Sequence, residues 1–401
     1  MIMPIENRTV PAWSRSLPFA LALMAPFDIL ASLAMDIYLP VVPSMPAILQ
    51  TTPATVQLTL SLYMVTLGVG QFVFGPLSDR YGRRPVLLTG ALLFALSSFG
   101  LAATDNAAVF VALRLLQAVG ASAALVATFA TVRDVYAERP ESATIYGLFG
   151  AMLSFVPALG PIAGALIARS LGWRAIFAAL GLLALAALWR ACHHWHETRP
   201  ARGFHEHAGF ARILRSFAFW TYTLGFATAM GTFFVFFSIA PRVLIGRAGF
   251  SETGFSLAFA SVAVVMIVAS RALPRCTQAW GARRSVAGGM AVILAGGIAL
   301  AGGETVLPAS FASLIVPMWI AAIGIVLTAS MTANGALAEF GDSAGTAVAV
   351  YFCVQSVAAT TVGTALVLLL PGDTAWPLVA FCAVMPLLTL ALLARLREGG
   401  S

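Results

Sequence analysis

The feature that most constrains this chain is a succession of long apolar segments separated by short polar connections. A helix rises 1.5 Å per residue, so about 20 apolar residues cross the roughly 30 Å of a bilayer's hydrocarbon. By this measure the sequence contains twelve spans. They are predicted at residues 17–43, 56–77, 85–104, 107–132, 143–168, 173–191, 217–241, 252–273, 285–302, 308–333, 343–370 and 374–394. The predicted fold class is an all-α membrane protein with twelve transmembrane helices.

The composition supports this interpretation and excludes two others. Hydrophobic residues make up 60% of the chain and charged residues 10%, whereas soluble domains average about 45–50% and about 25%. Intrinsic disorder requires low hydrophobicity and is excluded. The net charge of +7 comes from arginines spread between apolar runs, so no basic domain is present that could bind nucleic acid.

The placement of the arginines predicts the orientation of the chain. If the N-terminus is inside, 18 arginines fall on the inner side. Four fall on the outer side, namely Arg169, Arg174, Arg242 and Arg247. Cytoplasmic connections of membrane proteins carry the excess of basic residues, so both termini are predicted to be cytoplasmic.

The chain is also predicted to consist of two similar halves. Its longest polar connection, 192–216, lies near the midpoint, and Gly82 and Gly281 occupy similar Gly-x-Arg-type segments 199 residues apart (281 − 82). We predict an N-terminal half at 1–191, a cytoplasmic linker at 192–216 and a C-terminal half at 217–401. Duplicated six-helix halves with a binding site between them are a transporter architecture.

Two acids and one arginine lie well inside predicted spans. Asp28 and Asp36 are eight residues apart on the first span, which corresponds to about 80° of rotation and about 12 Å of rise. Arg114, on the fourth span, lies about seven residues, or roughly 10 Å, below the outer end and so matches the depth of Asp36. An ionisable group inside a bilayer costs at least about 2.5–3.5 kcal/mol, so these residues are functional candidates.

We hypothesise that these three residues couple transport to protons. Arg114 compensates Asp36 or lies near it, which leaves Asp28 poorly paired in an apolar cavity. Such a carboxylate can bind and release a proton near neutral pH. The alternative is that the charges neutralise one another and only hold the first helix against the fourth.

A charged, glycine-containing segment follows the second span. It reads Gly75-Pro-Leu-Ser-Asp79-Arg80-Tyr-Gly82-Arg83-Arg84 and resembles the signature loop of the major facilitator superfamily. The predicted gating residues are Gly75, Asp79, Arg80, Gly82, Arg83, Arg133 and Asp134. The glycines permit a tight turn, and an ionic latch is predicted between the acids and arginines of this set. The alternative is that the charges only anchor the loop at the membrane surface.

Further segments resemble particular branches of that superfamily. Leu113-Arg114-Leu-Leu-Gln117 resembles a fourth-helix motif whose arginine is tied to proton coupling. A second set resembles the antiporter motif of exporters and comprises Gly150, Pro157, Gly160, Pro161 and Gly164. Small residues allow close helix approach and prolines bend helices, although generic membrane packing would use glycines in the same way.

Several other stretches resemble the bicyclomycin/chloramphenicol-resistance branch. Among them are Met35-Asp36-Ile-Tyr-Leu-Pro40 and Val132-Arg133-Asp134-Val-Tyr136, and the likeness is greatest to the chloramphenicol/florfenicol exporters. The resemblance implies a monomeric proton-coupled antiporter in the bacterial inner membrane, with Asp28 and Arg114 functional. It also implies that the protein is not an enzyme and needs no cofactor, because the proton gradient drives export.

Candidate residues for the drug site follow from the chemistry of a phenicol. This neutral aryl propanediol amide needs an aromatic or apolar wall and a few hydrogen-bond partners. Phe233 and Phe237 share a helix face with Phe234 beside them, although phenylalanines facing lipid would show the same spacing. The candidate polar liners are Tyr38, Tyr63, Tyr222, Asn334, Tyr351 and Gln355. If Asp28 also accepts a hydrogen bond from the drug, proton and drug compete for one carboxylate.

Other functions remain open at this stage. The protein could export other drugs, or it could import a small metabolite with protons. An enzyme would need a nucleophile–base or metal constellation inside the bilayer, and none is visible. All five histidines lie within 193–207, but their spacing matches no zinc motif, so we expect a solvated linker and no metal site.

Overall fold

The computed structural model describes residues 17–136, 141–199, 210–340 and 344–396, and these form an all-helical protein. The α-helices are α1 (Leu17–Asp36), α2 (Met45–Ile48), α3 (Pro53–Tyr81), α4 (Arg83–Ala103), α5 (Ala107–Tyr136), α6 (Glu141–Leu171), α7 (Trp173–His194), α8 (Phe210–Arg215), α9 (Phe217–Pro241), α10 (Glu252–Ala272), α11 (Pro274–Val306), α12 (Phe311–Leu337), α13 (Ala344–Leu369) and α14 (Trp376–Arg395). A 3-10 helix covers Leu39–Val41 and a π-helix Arg242–Arg247.

Eleven helical segments among the described residues are long and apolar enough to cross a membrane. They correspond to eleven of the twelve predicted spans. The remaining prediction, 143–168, falls on the 31-residue helix α6, whose described apolar stretch is Phe155–Leu171. The protein is therefore a multi-pass membrane protein.

Local sequence explains where several helices begin and end. Thr52, Ser216, Ser251 and Ser310 each accept a hydrogen bond from the backbone N–H three residues later, as N-caps do. Helix α1 stops at Asp36, but the first candidate span continues to Val41, close to the predicted end at residue 43. Prolines at 40, 43 and 46 lack the N–H that would continue an α-helix, so the chain continues as short helical turns.

The predicted loop after the second span is mostly helical. Gly75 lies inside α3, which continues to Tyr81, so the expectation of a tight turn at Gly75 is wrong. The turn occurs at Gly82 alone, where φ is 106°. Gly281 also has a positive φ of 73°. This left-handed conformation favours glycine. It occurs at both Gly82 and Gly281, the glycines of the two similar segments.

Two close helix crossings are built from paired glycines. A Cβ added to Gly120 of α5 would lie 2.6 Å from the carbonyl oxygen of Gly90 on α4. A Cβ added to Gly324 of α12 would lie 2.6 Å from the carbonyl oxygen of Gly289 on α11. Since any side chain would separate the backbones, these glycines set the distance between the helices.

The helical bundle has two distinguishable ends. The arginine-rich end carries the junction of α3 with α4, the end of α5 and the segment after α7, with Arg80, Arg83, Arg84, Arg133 and Arg199. The arginine-poor end carries the junctions of α1 with α3 and of α9 with α10. The predicted linker, 192–216, is partly helical, because α7 extends to His194 and Phe210–Arg215 form α8. Trp195, within the linker, is buried at 2% exposure.

Candidate functional site

Asp28 lies in the interior of the protein. Its side chain is 1% exposed, and its Oδ2 has no hydrogen-bond partner. Among the described residues it forms no ion pair. The preceding residue, Phe27, contacts the buried Trp195 ring edge to face, with 5.8 Å between ring centroids. Asp28 is thus a buried carboxyl with an acceptor oxygen that the protein leaves free.

Asp36 lies at the end of α1, against α6. Its side chain is 5% exposed. A Cβ added to Gly160 would lie 2.8 Å from the Cβ of Asp36, and one added to Gly164 would overlap the carbonyl oxygen of Ile37. Two glycines of the predicted antiporter motif therefore allow the end of α1 to pack closely against α6.

The other motif residues also lie on α6. Pro157 and Pro161 are inside the helix, and the carbonyl of Pro161 accepts a hydrogen bond from Ser256 Oγ at 2.9 Å. Gly150 lies in the same helix, in its earlier part. The motif therefore joins α6 to α1 on one side and to α10 on the other.

Arg114 of α5 is completely buried, at 0% exposure. Its Nη1 donates to the carbonyl of Ala34 at 3.1 Å and to Gln117 Oε1 at 2.7 Å. Gln117 in turn donates to Ser98 Oγ at 2.8 Å. The Nε and Nη2 of Arg114 have no hydrogen-bond partner. Its contact with α1 is thus made through a backbone carbonyl.

The ion-pair form of the predicted link between Arg114 and Asp36 is absent from the described residues. The guanidinium contacts residues on either side of this acid in the sequence. Ala34, which binds Arg114, is two residues before Asp36, and Tyr38, whose ring lies 5.2 Å from the guanidinium carbon, is two residues after it. The guanidinium thus contacts the backbone two residues before Asp36 and the ring two residues after it, and the proximity of the two charges stays a prediction.

Two of the predicted drug-contacting tyrosines, Tyr38 and Tyr63, pack against Arg114. Tyr38 and Tyr63 are both 0% exposed. The Tyr63 ring centroid is 4.6 Å from the Arg114 guanidinium carbon, and the Tyr63 hydroxyl donates to the carbonyl of Ala31 at 2.8 Å. Neither ring is open to a cavity in this state.

Of the four polar candidates in the later helices, three are buried and one is exposed. Tyr351 is buried, with its hydroxyl 2.8 Å from Thr332 Oγ1 and its ring stacked on Phe226. Gln355 is 4% exposed, and its Nε2 has no hydrogen-bond partner. Tyr222 is 7% exposed and packs on Gly335, whereas Asn334 is exposed. Gln355 is therefore a buried donor that the protein leaves free.

The three candidate phenylalanines of α9 lie in the protein rather than facing lipid. Phe234 and Phe237 are 2% and 3% exposed, and Phe233 is partly buried. Phe233 and Phe237 both contact the ring of Phe259 on α10, at centroid distances of 6.0 and 6.2 Å. Sequence reasoning missed Phe259, whose own position on α10 gives no sign of this contact.

The charged residues of the signature segment meet at the arginine-rich end. Arg83, 2% exposed, pairs with Asp79 at 2.5 Å and with Asp134 at 2.8 Å. Arg133 lies 3.9 Å from Asp79 and 3.6 Å from Asp134. The four residues form one network, which we call the latch, between α3, α4 and α5. Arg80 stays outside it, with its guanidinium 5.4 Å from the ring centroid of Tyr81.

Glu197, after α7, joins the linker to this network and was missed by sequence reasoning. Its carboxylate accepts from the backbone N–H of Arg83 at 2.8 Å and of Arg84 at 3.1 Å, which are the first N–H groups of α4. Gly82 offers α4 no side-chain cap, so Glu197 supplies one from 114 residues away. Partial burial would raise the pKa of this carboxyl, but hydrogen bonds from Arg83, Arg199, Arg84 and Thr198 hold it below its ordinary value.

A second polar network closes the arginine-poor end. Gln57 Nε2 donates to Ser238 Oγ at 3.0 Å, and Gln57 Oε1 accepts from Arg242 Nη2 at 3.0 Å. Ser61 and Thr364 hydroxyls are 2.6 Å apart. We call these five residues the polar seam. It connects α3 to α9, to the adjoining π-helix and to α13.

The position of the polar seam within the molecule is distinctive. Five hydrogen bonds join described residues before 200 to described residues after 209. Four involve the polar seam, and the fifth is Ser256 to Pro161. All five lie in the arginine-poor part of the bundle. A cavity of about 320 Å³ borders the polar seam and is lined by Val42, Pro43, Pro46, Pro53, Val56, Arg242, Gly246, Arg247 and Asp373.

The histidine-rich segment shows no metal site where it is described. No group of three potential ligands is found among the described residues. His193 and His194 lie at the end of α7, where His194 contacts the ring of Phe19. His205 and His207 fall outside the described residues.

Comparison with known proteins gives a consistent result. The sequence profile of the Major Facilitator Superfamily matches residues 28–364. A chloramphenicol resistance protein of Pseudomonas aeruginosa is 49% identical over 392 residues, covering 97% of this chain and 93% of that protein. Multidrug resistance protein MdtL of Shewanella oneidensis is 30% identical over 262 residues, 64% of each chain. MdtL of Escherichia coli K12 is 27% identical over 286 residues, 71% of each chain.

Proposed function

Since the chain belongs to the Major Facilitator Superfamily of membrane transporters, we propose that it exports phenicol antibiotics, chloramphenicol and florfenicol, from the bacterial cytoplasm in exchange for protons. The observation that carries the proposal is the 49% identity, along 97% of the chain, to a chloramphenicol resistance protein. The MdtL relatives favour a second candidate, export of other drugs by the same mechanism.

The proposed topology has twelve spans. Helix α6 is the twelfth, and residues 1–191 and 217–401 form six-helix halves joined by a linker at 192–216. The repeated glycine crossings of α4 with α5 and of α11 with α12 support this division. The chain lies in the inner membrane with the arginine-rich end and both termini in the cytoplasm. It works as a monomer, without a cofactor.

The drug site is proposed to use buried polar groups that the protein leaves free. Asp28 offers an acceptor oxygen, and Gln355 offers an amide donor. A phenicol carries hydroxyl donors and an amide carbonyl acceptor, so each group has a complementary partner on the drug. The proposed remaining liners are Tyr222, Asn334 and Tyr351, with the three candidate phenylalanines Phe233, Phe234 and Phe237.

Proton exchange follows if drug and proton bind the same carboxyl. When Asp28 is ionised, it accepts a hydrogen bond from the drug hydroxyl. When it is protonated, its free oxygen is occupied and the drug is released. The polar seam supports alternating access, because it closes the arginine-poor end in this state and must open for release.

Susceptibility of an expressing host tests the proposal. We expect tolerance of chloramphenicol and florfenicol to rise and that of tetracycline to stay unchanged. Asp28→Asn keeps the size of the side chain but cannot ionise, so it should abolish proton-driven export while the protein still folds. Asp105→Asn is the matched control, because Asp105 is exposed and its surface ion pair with Arg174 contributes little.

The outcome that contradicts the proposal is unchanged chloramphenicol susceptibility with the protein present in the membrane. If only florfenicol or another drug responds, the substrate is corrected. If Asp28→Asn still concentrates drug against a gradient, proton coupling through Asp28 is wrong.

A further inference from the structure

Arg114 poses a physical problem that its hydrogen bonds do not solve. A guanidinium has five N–H donors, and at 0% exposure only its Nη1 makes hydrogen bonds. No carboxylate of a described residue pairs with it. An isolated buried charge is costly unless something else stabilises it.

Aromatic faces surround this cation. Its guanidinium carbon lies 4.6 Å from the Tyr63 ring centroid, 5.2 Å from that of Tyr38 and 6.0 Å from that of Phe177. The negative face of an aromatic ring attracts a cation within about 6 Å, and the attraction strengthens when both are removed from water. Both tyrosines are fully buried, which is the condition for a strong contact.

The rings are themselves fixed in place. Tyr63 is tied to α1 by its hydroxyl bond to the carbonyl of Ala31. Tyr38 packs against Phe177 and Phe110, with centroids 5.5 and 6.1 Å away. The guanidinium is therefore held in a preformed aromatic cage.

We propose, on the basis of the proposed proton-coupled export, that Tyr63 and Tyr38 are positioning residues that hold the Arg114 cation against their ring faces without pairing it to Asp28 or Asp36. They are not drug-binding residues. Because the rings hold the cation, Asp28, which forms no ion pair among the described residues, remains free to exchange a proton.

The groups around Arg114 determine how the rate of export should change with pH. The titratable groups that contact Arg114 are Tyr38, from the turn after α1, and Tyr63 from α3. The carboxyl groups of α1 are those of Asp28 and Asp36. The neighbouring helices α4, α5 and α7 contribute Ser98, Gln117 and Phe177, which do not titrate. If the cage is lost, the guanidinium can move onto a carboxylate, which then needs a more acidic solution to become protonated.

The first experiment compares Tyr63→Leu with Tyr63→Phe, and Tyr38→Leu with Tyr38→Phe, in chloramphenicol export by inverted vesicles. The leucine variants lose the ring face and should reduce the maximal rate about tenfold, with the pH profile displaced toward acid. The phenylalanine variants keep the face and should restore most of the rate and the profile. Phe219→Leu, which removes an equally buried ring on α9, controls for loss of packing and should leave the profile in place.

A second experiment does not depend on transport. Thermal melting is measured for Tyr63→Leu in the wild-type background and in Arg114→Leu. If the ring acts through the cation, Tyr63→Leu lowers the melting temperature in the first background and clearly less in the second.

Three results would overturn the proposal. The first is an equal fall in the two melting experiments. The second is leucine variants that export with the wild-type rate and profile. The third is a change of apparent KM for drug that is the same in Tyr63→Phe and Tyr63→Leu, since that assigns the hydroxyl to drug binding. Failure of the wild-type protein to export any phenicol contradicts the proposed function instead, and the melting cycle still decides the role of the ring.

Discussion

At the scale of single residues, two buried arginines show two ways of keeping a charge inside a membrane protein. Arg83 and Arg114 are 2% and 0% exposed. Arg83, at the arginine-rich end, is neutralised by Asp79 and Asp134. Arg114 is surrounded by a carbonyl, an amide and aromatic rings. In the first arrangement two carboxylates neutralise the cation, and in the second polar groups and ring faces stabilise it.

Glu197 gives a prediction at this scale. Glu197→Gln removes the charge that the first N–H groups of α4 bind, and we expect a loss of about 0.5–1 kcal/mol in stability near neutral pH, since the carboxylate is accessible and screened by salt. The folded-state pKa is below the ordinary value. The stabilisation is therefore fully present above about pH 4.3, the unfolded value, and is lost as the pH falls toward the folded one.

Thermal melting of detergent-solubilised protein between about pH 3 and 8 measures this effect. The difference between wild type and Glu197→Gln should be largest at the neutral end and shrink in acid. A difference that grows as the pH falls would contradict the assigned hydrogen bonds.

At the scale of helices, glycine determines which elements can touch. The crossings of α4 with α5 and of α11 with α12 place glycine against backbone in both partners. The approach of α6 to the end of α1 depends in the same way on Gly160 and Gly164. Because a backbone cannot move aside as a flexible side chain can, these positions resist substitution.

Gly164→Val is predicted to separate α6 from α1. The added side chain would meet the backbone of Ile37, and overpacking of this kind costs about 1–3 kcal/mol. Export should fall together with the yield of folded protein in the membrane, measured by fluorescence-detected size exclusion. Gly288→Ala is the matched control, because nothing lies within 4 Å of the added atom. Equal yields for the two variants would contradict the close approach.

At the scale of the whole molecule, the two ends carry different polar networks. The latch at the arginine-rich end is ionic and joins neighbouring helices α3, α4 and α5. The polar seam at the opposite end consists of hydrogen bonds that join the earlier helices to the later ones. Individual hydrogen bonds contribute only about 0.5–1.5 kcal/mol, so the polar seam can break and re-form during a cycle.

Gln57→Leu is predicted to open the arginine-poor end. It removes the donor to Ser238 and the acceptor for Arg242, and losing two hydrogen bonds should raise the population of the open state about tenfold. The measurement is labelling of a cysteine placed at Val56, which lines the cavity there, by a membrane-impermeant thiol reagent in a background without native cysteines. Thr221→Val is the control, since Thr221 bonds only within its own helix. Unchanged labelling in Gln57→Leu would argue against the polar seam as a gate.

Much of this organisation could be predicted from the sequence because it depends on local properties. Length and hydropathy identified the membrane helices, and the special glycine conformation was correctly placed at Gly82. The predicted acids and arginine are buried as expected. The errors were also local: Gly75 was assigned to a turn, although α3 continues past it and past Pro76 to Tyr81.

What the sequence determined by itself is the set of membrane-crossing segments and the few ionisable residues within them, because the energy of placing a residue in hydrocarbon depends on that residue and its nearest neighbours. Only the tertiary structure decided the partners. Arg114 lies against Tyr63 rather than bonded to Asp36, Glu197 caps a helix 114 residues away, and Gln57 meets Arg242 across the bundle. These contacts depend on how helices that are distant in the sequence pack together. That packing depends on the surfaces of all the helices at once, so no single segment determines it.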